Sequence, residues 1–248
     1  MDWTAVALPT LIGIGVLVAI TAATLKVYGI PSWYSPAMAV VRAAAQLAIL
    51  SLILSAVIGD IRWVWVALVV MMVAAILTAS RRLHGDRRML LAITVSMLLG
   101  ASLTLATVFL SGAIALTPQN LLAIGGIVVG NSMTITTLTG RRYRSSLVER
   151  RDEVEGWLAL GATPRQSTLD LARSAVREAL IPSVDQTRTT GLVVLPGAFV
   201  GAVFAGASPL EAGRFQLVVL ASILAAGAII AVSLAETLSR AKTVPTVV

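Results

Sequence analysis

Arg42 and Gln46 stand one helical turn apart on one face of an apolar run, where a cation and an amide could meet a polar solute inside a bilayer. Intramembrane charges usually face a cavity or a partner. At ~1.5 Å per residue Arg42 lies only ~7–8 Å below the start of its run. That depth lets it snorkel, so a structural anchor is the competing reading. Farther along, Gly126, Gly130, Thr134 and Thr137 make a stripe of small and polar side chains, with Asn131 beside it. Such stripes let helices pack closely and hydrogen-bond across the contact; a polar strip along a translocation path is the functional alternative. Pro196-Gly197 interrupts another apolar run, a break that transporters tolerate where backbone lines a cavity. Gly197-Ala-Phe-Val-Gly201 has the spacing of a packing motif.

Hydrolytic and thiol chemistry find no side chains here. The sequence holds no cysteine and one histidine, His84, in a basic loop, and its apolar runs carry no paired carboxylates. No catalytic residue is indicated, and no metal-ligand set can be named. No G-x-x-x-x-G-K-[ST] occurs, so the chain is expected to bind no nucleotide or other cofactor itself. Nothing points to a nucleic-acid partner. The seven methionines need no explanation beyond packing. Glu236 and Arg240, four residues apart, read as a surface pair.

The elements that must position these residues are apolar. Of 248 residues 57% are hydrophobic and 12% charged, against about 25% charged in a soluble domain. Mean hydropathy is +0.91. A span needs ~20 apolar residues, and seven segments qualify: 5–25, 37–58, 63–79, 89–110, 120–139, 190–207 and 215–238. The expected fold is an all-α polytopic bundle forming a single transmembrane domain over 1–248. The first segment is no cleavable signal, because Asp2 precedes it and no basic residue does. With the N-terminus outside, sixteen of the 19 basic residues lie on the cytoplasmic side, Lys26 and Lys242 among them. The orientation is therefore N-out and C-in. Trp3, Trp63 and Trp65 fit the interfacial aromatic belt.

Residues 141–188 are the one sizeable polar stretch. Leu147, Val154 and Trp157 or Leu158 return at helical intervals, followed by a break at Gly161-Ala162-Thr163-Pro164. A second helix starts near Arg165 with Leu169, Ala172, Val176 and Leu180 on one stripe, and Pro182 is expected to end it. Two amphipathic helices and an elbow thus hang in the cytoplasm. They are either a solvated connector or a docking surface for a partner.

Glu155-Gly-Trp-Leu-Ala-Leu-Gly161-Ala162 resembles the cytoplasmic "EAA" loop of ABC permeases, an acid followed six residues later by glycine, with Gly156-Trp157 in place of the paired alanines. The chain is more similar to the FetB-like ABC permeases, an iron-export family related to plant aluminium-tolerance permeases. The matching stretches are Arg42-Ala-Ala-Ala-Gln46-Leu47, Gly130-Asn131-Ser132-Met133, Ala159-Leu160-Gly161-Ala162-Thr163, Pro182-Ser-Val-Asp185, Leu195-Pro196-Gly197 and Ala205-Gly206-Ala207-Ser208-Pro209-Leu210. The resemblance implies a permease of the inner (plasma) membrane that works as two copies with a separate cytoplasmic ATPase carrying ATP–Mg. Glu155, Gly161, Ala162, Thr163 and Pro164 would couple to that ATPase. Arg42, Gln46, Asn131, Ser132, Met133, Pro196 and Gly197 would line or shape the path.

Three functions compete. A permease with a separate ATPase explains a transporter without its own ATP motif. A gradient-driven carrier usually places acids near the bilayer midplane, and none of the seven segments does. An intramembrane enzyme lacks its side chains. For cargo, iron or a related metal follows from the resemblance. An inward Arg42 favours an anion instead, such as a chelate or a sugar nucleotide.

Overall fold

The computed structural model describes the backbone of residues 3–240 and the side chains of 7–52 and 59–240. Asp2, the Trp3 side chain and Lys242 lie outside the described residues. Every named element among them is a helix, and the chain divides into two compact units, Met1–Gly59 and Asp60–Val248.

The first unit is a hairpin of α1 (Trp3–Val27) and α2 (Ser35–Ile58). Gly29 takes the left-handed φ of +79° that the turn needs. The Lys26 ammonium sits 5.1 Å from the Trp33 ring centroid, and Pro36 opens the first turn of α2. Arg42 and Gln46 are exposed on α2.

The second unit holds α3 (Ile61–Arg82), α4 (Arg87–Leu110), α5 (Pro118–Glu149), α6 (Arg151–Ala159), α7 (Pro164–Thr189), α8 (Gly197–Phe204) and α9 (Pro209–Ser239). Five of these seven helix starts are capped by side chains. Asp60, Asp86 and Thr117 each accept a hydrogen bond from a first-turn N–H, and Thr163 and Ser208 form capping boxes with Gln166 and Glu211. Parallel helices α5 and α9 form the centre; Ile124 and Val128 of α5 share a buried cluster with Val219 and Ile223 of α9. Near the other end the Tyr143 hydroxyl donates to the Leu238 carbonyl at 3.4 Å. Helix α3 packs on α5, and α4 packs on both α5 and α9. Close approach depends on Gly100, Gly125 and Gly140. A Cβ on Gly125 would fall 2.7 Å from Leu68, and one on Gly140 2.6 Å from Leu83. Arg144 donates to the Leu83 carbonyl and so closes the C-terminal end of α3 from α5.

Among the described residues six helices, α1 to α5 and α9, are long and apolar enough to cross a membrane. The protein is a multi-span membrane protein. Residues 190–207 do not form the through-going helix expected of them. Gly191 and Gly206 have φ of +87° and +96°, and Pro196, which has no N–H, sits at the start of α8 rather than inside a longer helix. The 8 residues of α8 rise only about 12 Å, well short of the ~30 Å hydrocarbon core.

The polar segment differs as well. Helix α5 continues to Glu149, ten residues past the expected end of its span, and α7 continues through Pro182 to Thr189. The ring of Pro182 lies on the exposed side. Proline frees the carbonyl four residues back, and exposed backbone tolerates that better than buried backbone. Rather than hanging free, α7 packs along both α5 and α9.

Candidate functional site

Two features of the second unit carry most of the predicted residues: the elbow between α6 and α7, and the polar stripe of α5. The elbow is rigid for local reasons. Gly161 stands at φ +90°, open to glycine and costly for residues with a Cβ. Thr163 caps α7 and Pro164 fills its first turn. Val154 anchors α6 in a buried cluster with Tyr143, Leu147 and Leu171. Trp157 (52% exposed) and Leu160 (83%) stay outside that cluster. A cleft of about 550 Å³ between α6 and α7 is lined by Arg150, Trp157, Leu160, Gly161, Gln166 and Asp170. The predicted coupling residues Gly161, Ala162, Thr163 and Pro164 are contiguous in this elbow. Glu155 sits on α6 and pairs with Arg151 at 2.7 Å. Its carboxylate accepts a hydrogen bond from that guanidinium and raises its pKa.

Glu236 does more than the expected pair with Arg240. It accepts from Arg240 at 2.8 Å and from Arg165, in the first turn of α7, at 2.6 Å. Beside it the Thr168 hydroxyl lies 3.4 Å from the Ser239 carbonyl. The elbow is therefore latched to the end of α9. Sequence reasoning missed this because Arg165 and Glu236 are 71 residues apart; a charge one helical turn from an apolar end was the only signal.

The polar stripe of α5 divides. Gly130 and Thr134 are exposed and Asn131 is half-buried, whereas Thr137 is buried. The Asn131 amide donates to its own helix, at the Ile127 carbonyl. Ser132 is buried and donates to Val128 at 2.7 Å, and Met133 packs against the cluster around Ile93 and Met97. Gly197 and Gly201 have open space where a Cβ would be, so they serve no close contact among the described residues. Pro196 lines an apolar cavity of about 590 Å³ with Thr190, Phe199 and Leu217. In that cavity the buried Gln216 has a side-chain oxygen without a hydrogen-bond partner among the described residues. Arg42 and Gln46 belong to the first unit.

Helix α7 runs antiparallel to α9. Thr168 is level with Ser239, and Leu180 would touch a Cβ on Gly227 at 3.2 Å. Thr190, next to the end of α7, lines one cavity with Gln216. Charged residues on α7 thus lie beside apolar helices, including the acids Glu178 and Asp185, which the sequence had assigned to the cytoplasm. Glu178 pairs with Arg142 of α5 at 2.9 Å, and Asp185 with Arg188 at 3.9 Å. A charge facing lipid at mid-bilayer costs ~2.5–3.5 kcal/mol.

The rice "UPF0014 membrane protein STAR2" is 36% identical over 193 residues, 77% of this chain and 68% of its own. The Arabidopsis "Protein ALUMINUM SENSITIVE 3" is 35% identical over 190 residues, 76% of this chain and 70% of its own. The Escherichia coli "Probable iron export permease protein FetB" is 37% identical over 130 residues, 52% of this chain and 50% of its own. No solved structure matches. The family model described as "Uncharacterised protein family (UPF0014)" matches residues 8–242. That match takes in the hairpin, the apolar helices, the elbow and α7 together, and the chain belongs to the UPF0014 family of membrane proteins.

Proposed function

We propose that this chain is the permease half of an ABC-type transporter that exports iron or a related metal and is driven by a separate cytoplasmic ATPase. The observation that carries the reading is the elbow: a stiff, capped turn with exposed Trp157 and Leu160, latched through Arg165 to Glu236. A partner gripping it would pull on α7 and α9 together. The E. coli relative's name supplies the iron and the permease role. In this reading both units make one permease, two copies assemble with two ATPases carrying ATP–Mg, and the chain sits N-out and C-in in the inner (plasma) membrane. Co-purification from native membranes should bring an ATP-binding subunit in equal amount, with ATP hydrolysis stimulated by iron in proteoliposomes. A chain that transports without any ATP-binding subunit would sink the proposal.

One observation favours a second reading, a gradient-driven carrier: α7 brings Asp185 and Glu178 beside the apolar helices. Such a carrier would move cargo on a proton gradient alone, so the same proteoliposomes without ATP separate the two.

Arg42, Gln46, Asn131, Pro196 and Gly197 remain proposed path residues, with Ser132 and Met133 supporting from within the core. Arg42→Ala should lower transport roughly 10- to 100-fold with insertion unchanged, the scale of a lost charge-assisted contact of ~1.5–3 kcal/mol. Full transport by the variant returns Arg42 to an anchoring role.

A further inference from the structure

Helix α7 holds seven ionisable residues, Arg165, Asp170, Arg173, Arg177, Glu178, Asp185 and Arg188, and composition alone places it in water. Its neighbours place it elsewhere. Pairing Thr168 with Ser239, Leu180 with Gly227 and Thr190 with Gln216 fixes its level along α9 over more than twenty residues. Any bilayer position that buries the apolar length of α9 from about Leu217 to Leu234 also takes in α7 from roughly Arg173 to Thr190. One side of α7 is built for that packing: Ala172, Ala175, Ala179 and Ser183 are buried and small, which lets α7 approach α5 and α9 closely. The opposite side carries Ser174, Arg177, Ile181, Asp185 and Arg188, all exposed, at spacings of three and four.

We propose that α7 crosses the bilayer in place of residues 190–207 and that its exposed stripe walls a water-filled path that favours anions. Charges at this depth require water or a counter-charge. Arg173 has Asp170, Arg188 has Asp185, and Glu178 has Arg142. Arg177 has no ion-pair partner among the described residues, and its positive charge stands second of the five along the stripe, one turn from Ser174. On α5, along which α7 packs, Gly130 and Thr134 are exposed, and a Cβ on Gly130 would meet nothing within 4 Å. A bare metal cation is repelled by such a wall, whereas a metal held in an anionic complex is attracted. Parity is preserved, since α7 then leads outward and α9 returns. Removing Arg173, Arg177 and Arg188 from the cytoplasmic count still leaves thirteen of the 19 basic residues inside.

The position of α7 rests on the packing alone; calling the wall a path rests on the transporter reading. The absence of cysteine allows single-cysteine labelling of the otherwise unaltered chain. Asp185→Cys should react with a membrane-impermeant methanethiosulfonate from the outer face of intact cells, with Gln186→Cys as the substitute if the first variant misfolds. Ile181→Cys should react at least ~10-fold faster than Leu99→Cys on the exposed face of α4. Ser174→Cys should prefer the anionic sulfonatoethyl reagent over the cationic trimethylammonioethyl one, relative to free cysteine. Adding Arg177→Gln should narrow that preference about threefold, the scale of one screened charge about 8 Å away. Labelling of position 185 or 186 only from the cytoplasmic face overturns the crossing. Equal rates at 181 and 99 overturn the aqueous wall, and an unchanged reagent preference overturns its anion bias. None of these readouts depends on an ATPase, so failure of the ABC reading would leave them intact.

Discussion

Gly100→Val will leave the protein poorly folded in the membrane, with a melting temperature in detergent lowered by roughly 6–12 °C. Helices α4 and α9 touch at this glycine. A Cβ there would land on the Ile230 side chain and 3.0 Å from the Ala226 carbonyl oxygen. Ile230 is completely buried, in a cluster with Ala101 and Val128. The Ala226 oxygen is backbone and moves only if the helix moves. Overpacking of this kind costs ~1–3 kcal/mol or more, and about 3 kcal/mol corresponds to that temperature shift for a chain of this size. Gly213→Val is the control, because a Cβ at Gly213 meets nothing within 4 Å. If Gly100→Val melts with the control, the close crossing of α4 and α9 is wrong.

Glu236→Ala will separate ATP hydrolysis from transport. Glu236 joins the first turn of α7 to the last turns of α9, through Arg165 and Arg240. These pairs are exposed, and exposed pairs add little to stability, so the variant should insert and melt as the parent does. Its defect should appear as ATP hydrolysis within about twofold of the parent beside transport lowered about tenfold, ~1.4 kcal/mol of lost coupling. Glu236→Gln, which keeps one acceptor, should fall between. Gly161→Val attacks the same device from its other end, since valine resists the φ of +90° that sets the elbow. Parallel loss of hydrolysis and transport in Glu236→Ala would mean that the latch serves docking rather than transmission. Unchanged transport would remove it from the mechanism.

Local chemistry made much of this protein readable in one dimension. The long apolar runs of α1, α2, α3, α4 and α9 declare themselves, because a helix surrounded by lipid or by other helices must be apolar around most of its surface. The elbow was legible too. Glycine at 161 permits a left-handed turn, threonine at 163 caps a helix and proline at 164 suits its first turn, and the three agree.

The sequence misdirected at 182 and at 190–207 for one shared reason: composition averages over all faces of a segment. Residues 190–207 are apolar all round, yet two left-handed glycines and a proline divide them. Helix α7 is polar on average, yet its Ala172–Ala175–Ala179–Ser183 side fits α5 and α9, and Pro182 projects from the other side. Which of the two segments runs beside α9 depends on neighbours in space. The second partner of Glu236 and the contact at Gly100 depend on neighbours too, at separations of 71 and about 130 residues. The sequence by itself determined that the chain is an all-helical, multi-span membrane protein with a stiff polar elbow, because burial in lipid and backbone preference act on each residue separately. Only the tertiary structure decided which polar helix stands among the apolar ones and what its ends hold, because packing acts on pairs.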